Sequence, residues 1–93
     1  MKKVTLQSEK RCIVCGDTLG LHRHEVFFGT ADRRKSIKWG LQVYLCPRHH
    51  NASKEGVHFN KDLDDRLKRY AQTKFEEVNG HDVFMEIFHK NYL

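Results

Sequence analysis

The sequence predicts an α+β fold in which a two-stranded hairpin and a short helix are clamped at their base by a metal ion and followed by C-terminal α-helices. Three observations carry that expectation. Two metal half-sites, Cys12-x-x-Cys15 and Cys46-x-x-His49, lie far apart in the chain. Two short runs rich in β-branched and aromatic residues flank the stretch between them, and the last third repeats its apolar residues at helical spacing. With 93 residues and 39% hydrophobic content, residues 1–93 read as one domain, with a core over about 12–60 and a helical part over about 61–93.

After a polar N-terminal arm, "CIVCG" forms a knuckle in which Gly16 supplies a turn that lets two thiolates converge. "LHRHEVFF", Leu21 to Phe28, and "LQVYLC", Leu41 to Cys46, have strand character. Between them "GTADRRKSIKWG" is bounded by glycines and strongly charged, and is expected to be a loop. Pro47 suits the first turn of a helix, where its missing N–H costs nothing, so "PRHHNASK" is expected to be a short helix. In "DLDDRLKRYAQTKFEEV" the residues Leu63, Leu67, Tyr70, Ala71, Phe75 and Val78 share one helix face, with Asp62 the expected N-cap and Asn79-Gly80 the stop. A last helix places Val83, Phe84, Ile87 and Phe88 together, to close over the same core or to meet a partner.

Cys12, Cys15, Cys46 and His49 supply the four nitrogen and sulfur ligands of a tetrahedral structural zinc. Three cysteines cannot pair completely, which favours a metal over a disulfide. No apolar run is long enough to cross a membrane and "MKKVTLQSEK" lacks a secretory core, so the expectation is a cytoplasmic protein that avoids membranes. The net charge of +5 favours a polyanionic partner, with DNA foremost.

Adjacent helical side chains point about 100° apart, so His49 and His50 cannot easily serve one ion, and His50 is left over. His22, His24 and His58 also lie in the same part of the chain, whereas His81 and His89 are assigned to helix surface. Strand, helix and loop histidines drawn together can hold one divalent cation while another imidazole accepts a proton from water.

The order C-x-x-C, His-Glu on a strand, then a second strand leading to C-x-x-H-H resembles the HNH, or His-metal-finger, endonucleases. "HEVFFGTADRRKSIKWGLQVYLCPRHHN" with "GVHFN" resembles their small phage and prophage members associated with recombination. The resemblance covers Cys12 to about Asn60 and implies a hairpin-and-helix active site around one metal ion, in a bacterial host cell. It makes His50 a ligand of the catalytic magnesium or manganese, to which His58 is a candidate addition. A strict alignment makes His24 a ligand and puts Glu25 in the general-base position. A second register, resembling the endonuclease VII type of resolvase, makes His22 the base. Chemical grounds favour His24 as base, since imidazole titrates near neutral pH, with Glu25 binding the cation or orienting the histidine. Leu41 and Gln42 stand where the family has an Asn, whose role is passed to Asn51.

Arg33, Arg34, Lys35 and Lys38 are opposed only by Asp32 and are expected to neutralise phosphates, with Trp39 offering a face to sugar or base. The expected activity is hydrolysis of DNA phosphodiester bonds, nicking as a monomer or cutting both strands as a homodimer. A recombinase or another DNA-processing protein of phage or host is an expected partner. Two other readings stand beside it. One is a catalytically degenerate, zinc-stabilised module that binds nucleic acid or protein. The other is a regulator that contacts a host protein through "VFMEIF".

Overall fold

The computed structural model describes all 93 residues. Strands β1 (His22–Glu25) and β2 (Gln42–Leu45) pair antiparallel, with His22 opposite Leu45 and His24 opposite Val43. Alternation then decides what each strand presents: Val43 and Leu45 are buried beneath the sheet, and His24 is buried on β1. Both strands are shorter than the apolar runs that announce them. Val26 and Phe27 leave the sheet, yet remain fully buried.

The stretch between the strands is a helix, α1 (Asp32–Trp39), where a loop was expected. Its second glycine is a helix stop: Gly40 has φ +78°, the left-handed conformation that ends helices, and its N–H donates to the Ile37 and Ser36 carbonyls. A Cβ at Gly40 would lie 1.9 Å from the Val4 carbonyl oxygen, so the position needs glycine for room as well as conformation. The buried Ser36 hydroxyl donates to the Phe27 carbonyl (2.7 Å) and accepts from the Phe27 N–H (3.0 Å), tying α1 to the end of β1. Trp39 packs against Phe75 with ring centroids 6.3 Å apart and joins the core, so it is not the free stacking face the sequence suggested.

Helix α2 is a single turn, Pro47–His50, shorter than the expected span; the Cys46 carbonyl accepts from the His49 and His50 N–H groups. Helix α3 runs Lys61–Asn79 and is capped by Asn60, whose side chain accepts from Leu63 N–H, in place of the expected Asp62. It buries Leu67, Ala71 and Phe75 as the periodicity requires, while Val78 stays exposed. Helix α4 (His81–Phe88) turns Phe84 and Phe88 into the core against Phe27, so the "VFMEIF" face is spent within the molecule.

The C-terminal tail is tied down by a side chain whose polarity hides its place in the core. Gln72 is fully buried; its amide donates to Asn91 Oδ1 and Glu76 Oε2 (both 2.7 Å) and its oxygen accepts from the Tyr92 N–H (2.8 Å). No helix of the structure is long and apolar enough to cross a membrane.

Ser36→Ala would leave a buried N–H and a buried carbonyl of Phe27 without their partner. Urea unfolding is expected to show a loss of about 1–3 kcal/mol, and an unchanged midpoint would show that the α1 contact contributes nothing.

Candidate metal centres

The knuckle places Cys12 and Cys15 beside the end of β2, where Cys46 and His49 begin α2. Cys12 N–H donates to the Asp17 carbonyl and Gly16 N–H to the Cys12 carbonyl, closing the turn, and Ile13 N–H donates to Tyr44 of β2. Cys15 Sγ and Cys46 Sγ are 3.8 Å apart, Cys12 Sγ and His49 Nδ1 3.8 Å, and Cys46 Sγ and His49 Nδ1 3.3 Å. All four ligand atoms lie within 4.8 Å of one another. Bonds of about 2.3 Å at tetrahedral angles would set two thiolates about 3.8 Å apart, so the group matches a tetrahedral ion of zinc's size.

The donors are also prepared chemically. Burial alone would push the Cys12 thiol up, but backbone hydrogen bonds from Cys46, Cys15 and Val14 outweigh it and bring its pKa down to about 6. Burial pushes Cys46 up, a cost that a cation would remove. His49 turns Nδ1 to the thiolates and Nε2 toward Glu55, whose carboxylate is 4.0 Å away and is shared with Arg48. At that distance Glu55 is an electrostatic neighbour of the ring and not its hydrogen-bond partner.

One residue on, His50 points elsewhere, as the helical rotation requires. Its ring meets those of His24 and His58, with centroids 5.2 and 4.8 Å away, and the three can each offer a nitrogen within 4.8 Å of the others. His50 Nε2 and His58 Nε2 are 3.2 Å apart. His24 is 3% exposed and its Nε2 has no hydrogen-bond partner, so the buried member of the trio carries an unsatisfied nitrogen.

Two features hold this trio together. His22 Nδ1 lies 2.8 Å from His50 Nδ1, so with its Nδ1–H donated to His22, His50 keeps Nε2 free as a ligand. The alternation of β1 puts His22 and His24 on one face, a signal present in "HRH". The other feature is Gly56. Val57 and His58 N–H groups donate to the His49 and His50 carbonyls (2.8 and 3.3 Å), and a Cβ on Gly56 would sit 2.6 Å from the His50 carbonyl oxygen. The close approach that carries His58 to His50 therefore requires glycine at 56.

Glu25 stands outside the trio. Its carboxylate is 3.6 Å from Arg33 Nε, and both line the cavity of about 140 Å³ onto which His24, His50 and His58 open. Among the other basic residues, Lys35 turns inward, donating to the Ile87 carbonyl (2.7 Å) and lying 3.5 Å from Asp32. Arg34 and Lys38, four apart on α1, are exposed on one helix face. Asn51 is exposed at the end of α2.

Burial, and then the charges of His50, His58, Lys68 and Arg33, lower the His24 pKa to about 3. Burial and the neighbouring His58 and His22 lower that of His50. Comparison with protein-family models, with curated proteins and with solved structures gives no match.

Chelating the ion at the cysteine cluster, or replacing Cys46 by Ala, is expected to abolish cooperative unfolding as followed by circular dichroism. A cooperative transition that survives metal removal would show the core alone to be sufficient. For His24 the unfolded chain titrates near its ordinary 6.5 and the folded chain near 3. The unfolded state thus binds the extra proton, and the group's contribution to stability is full above pH 6.5 and is lost as pH falls toward 3. In protein loaded only at the cysteine cluster, the His24 ring resonances should stay flat between pH 5 and 8, and a midpoint near 6.5 would contradict the burial argument.

Proposed function

We propose that this protein is a metal-dependent endonuclease of the HNH type that hydrolyses DNA phosphodiester bonds. Nicking or cutting of branched DNA during phage or prophage recombination or DNA processing is the setting that its resemblance to the small phage members suggests. The observation that carries the reading is a trio of imidazoles opening onto an arginine-lined cavity, one helical residue away from a Cys3His ion site. A binding-only module would use the Cys3His cluster and the exposed Arg34 and Lys38, but would have no use for three converging imidazoles.

The Cys3His ion in this reading is zinc, the tetrahedral partner of mixed thiolate and imidazole ligands. His24, His50 and His58 would hold the second cation, and three nitrogen donors suit manganese or another first-row transition ion better than magnesium, which prefers oxygen. A divalent cation there supplies charge neutralisation for a phosphodiester and acidifies water. His24 serves better as a ligand than as the general base favoured on its imidazole chemistry alone, because a group with a pKa near 3 is a weak base at neutral pH. That returns to the strict alignment: His24 ligates, and Glu25 of the same cavity takes the base position beside Arg33. His22 positions His50, and Arg33 is placed to receive a phosphate oxygen.

Supercoiled plasmid incubated with zinc-loaded protein and manganese is expected to be nicked, with His50→Ala at equal zinc content at least about 100-fold slower and His22→Ala about 10–100-fold weaker in manganese affinity. Plasmid and branched DNA left intact by wild type, with binding retained, would contradict the nuclease and favour the degenerate binding module.

A further inference from the structure

A second cavity, of about 370 Å³, adjoins the imidazole cavity and shares Phe28 and His58 as its wall. Phe59 and Asn60 complete the rim. This is within the roughly 300–1,000 Å³ of small-molecule sites. Among the Phe, Tyr and Trp side chains Phe59 alone is exposed, 66% accessible, and it follows directly on His58. It does not ride on a loose loop. Its N–H donates to the Gly56 carbonyl (2.9 Å), His58 is pinned to His50 through the backbone, and Asn60 caps α3.

Charge divides the two cavities. The imidazole cavity carries two guanidinium groups, Arg23 and Arg33, against one carboxylate, Glu25, which lies 3.6 Å from Arg33. Its neighbour carries one cation, Lys61, 3.2 Å from Asp65, and one carboxylate, Asp64, so its walls bring no excess of positive charge. A phosphate therefore belongs to the first cavity, and a neutral flat group to the second. We propose that the second cavity receives an unpaired nucleobase flanking the phosphate held at the imidazole trio, with Phe59 as its stacking face. The inference rests on the nuclease reading and names its substrate class: nucleic acid with an unpaired nucleotide at the cut, as in a single strand, flap or branch. A base inside a continuous duplex is stacked on both sides and cannot reach Phe59 unless it is flipped out.

The test is binding without cutting: fluorescence anisotropy of a short single-stranded DNA oligonucleotide with zinc-loaded protein, the second cation withheld. Phe59→Ala is expected to weaken binding about tenfold, as the loss of one base–aromatic stack does. Phe59→Trp should retain it, and the same sequence as duplex should bind wild type and both variants alike. Equal single-strand affinity of wild type and Phe59→Ala would overturn the pocket assignment, and so would a failure to bind any DNA. Because Phe59 is exposed, the fold is untouched, which circular dichroism verifies. Plasmid nicking that persists alongside Phe59-independent binding removes the pocket alone. Phe59-dependent binding without cutting of any substrate removes the nuclease and leaves the pocket.

Discussion

The rest of the structure depends on the convergence of Cys12, Cys15, Cys46 and His49. A domain of this size has little core to spare, and much of its chain is polar. Three cysteine sulfurs and an imidazole nitrogen within 4.8 Å of one another are an arrangement that repulsion and desolvation oppose unless a cation is shared. Sharing it joins the N-terminal knuckle to the end of β2 and fixes the direction in which α2 leaves. With His49 turned to the cysteines, the helical turn aims His50 at the hairpin. The second centre is thus a geometric consequence of the first.

The apolar elements serve this arrangement from behind. Phe27, Phe84 and Phe88 pack α4 against the end of β1, and Ser36 and Lys35 attach α1 to the same neighbourhood. Gln72 closes the C-terminal tail over the core, so that Tyr92 packs on Phe27 with centroids 5.1 Å apart. Phe28 stands between core and site, 5.8 Å from the His24 ring and 5.3 Å from that of His58, with Lys68 Nζ 4.5 Å from its own centroid. The wall that keeps water from His24 is thereby built of aromatic and paired charged groups together.

Much of this was legible in the residues. The two half-sites are spaced for one ion, the rotation between His49 and His50 follows from helix geometry, and the α3 face over Leu67, Ala71 and Phe75 is plain periodicity. The stretch from Gly29 to Gly40 misled because "DRRKSIKW" has so little apolar content that its helical character shows only through Gly40, a C-terminal stop that also reads as a loop residue. Gln72 was invisible because its partners, Asn91 and Tyr92, lie in a tail with no pattern of its own. Gly56 and Glu55 were equally hidden: nothing local tells that the chain doubles back on His49 and His50. Tertiary approach decides all of these.

The most direct measurement of the central claim, that the thiolate ion creates the imidazole site, is stepwise cobalt titration of metal-free protein followed in the visible spectrum. The account predicts a first equivalent with thiolate-to-cobalt charge-transfer absorption. A second equivalent without thiolate character should then bind, and should disappear in His50→Ala. A second, thiolate-free equivalent that binds equally well to a Cys46→Ala protein would contradict the account, because the imidazoles would then assemble without the ion that is said to place them.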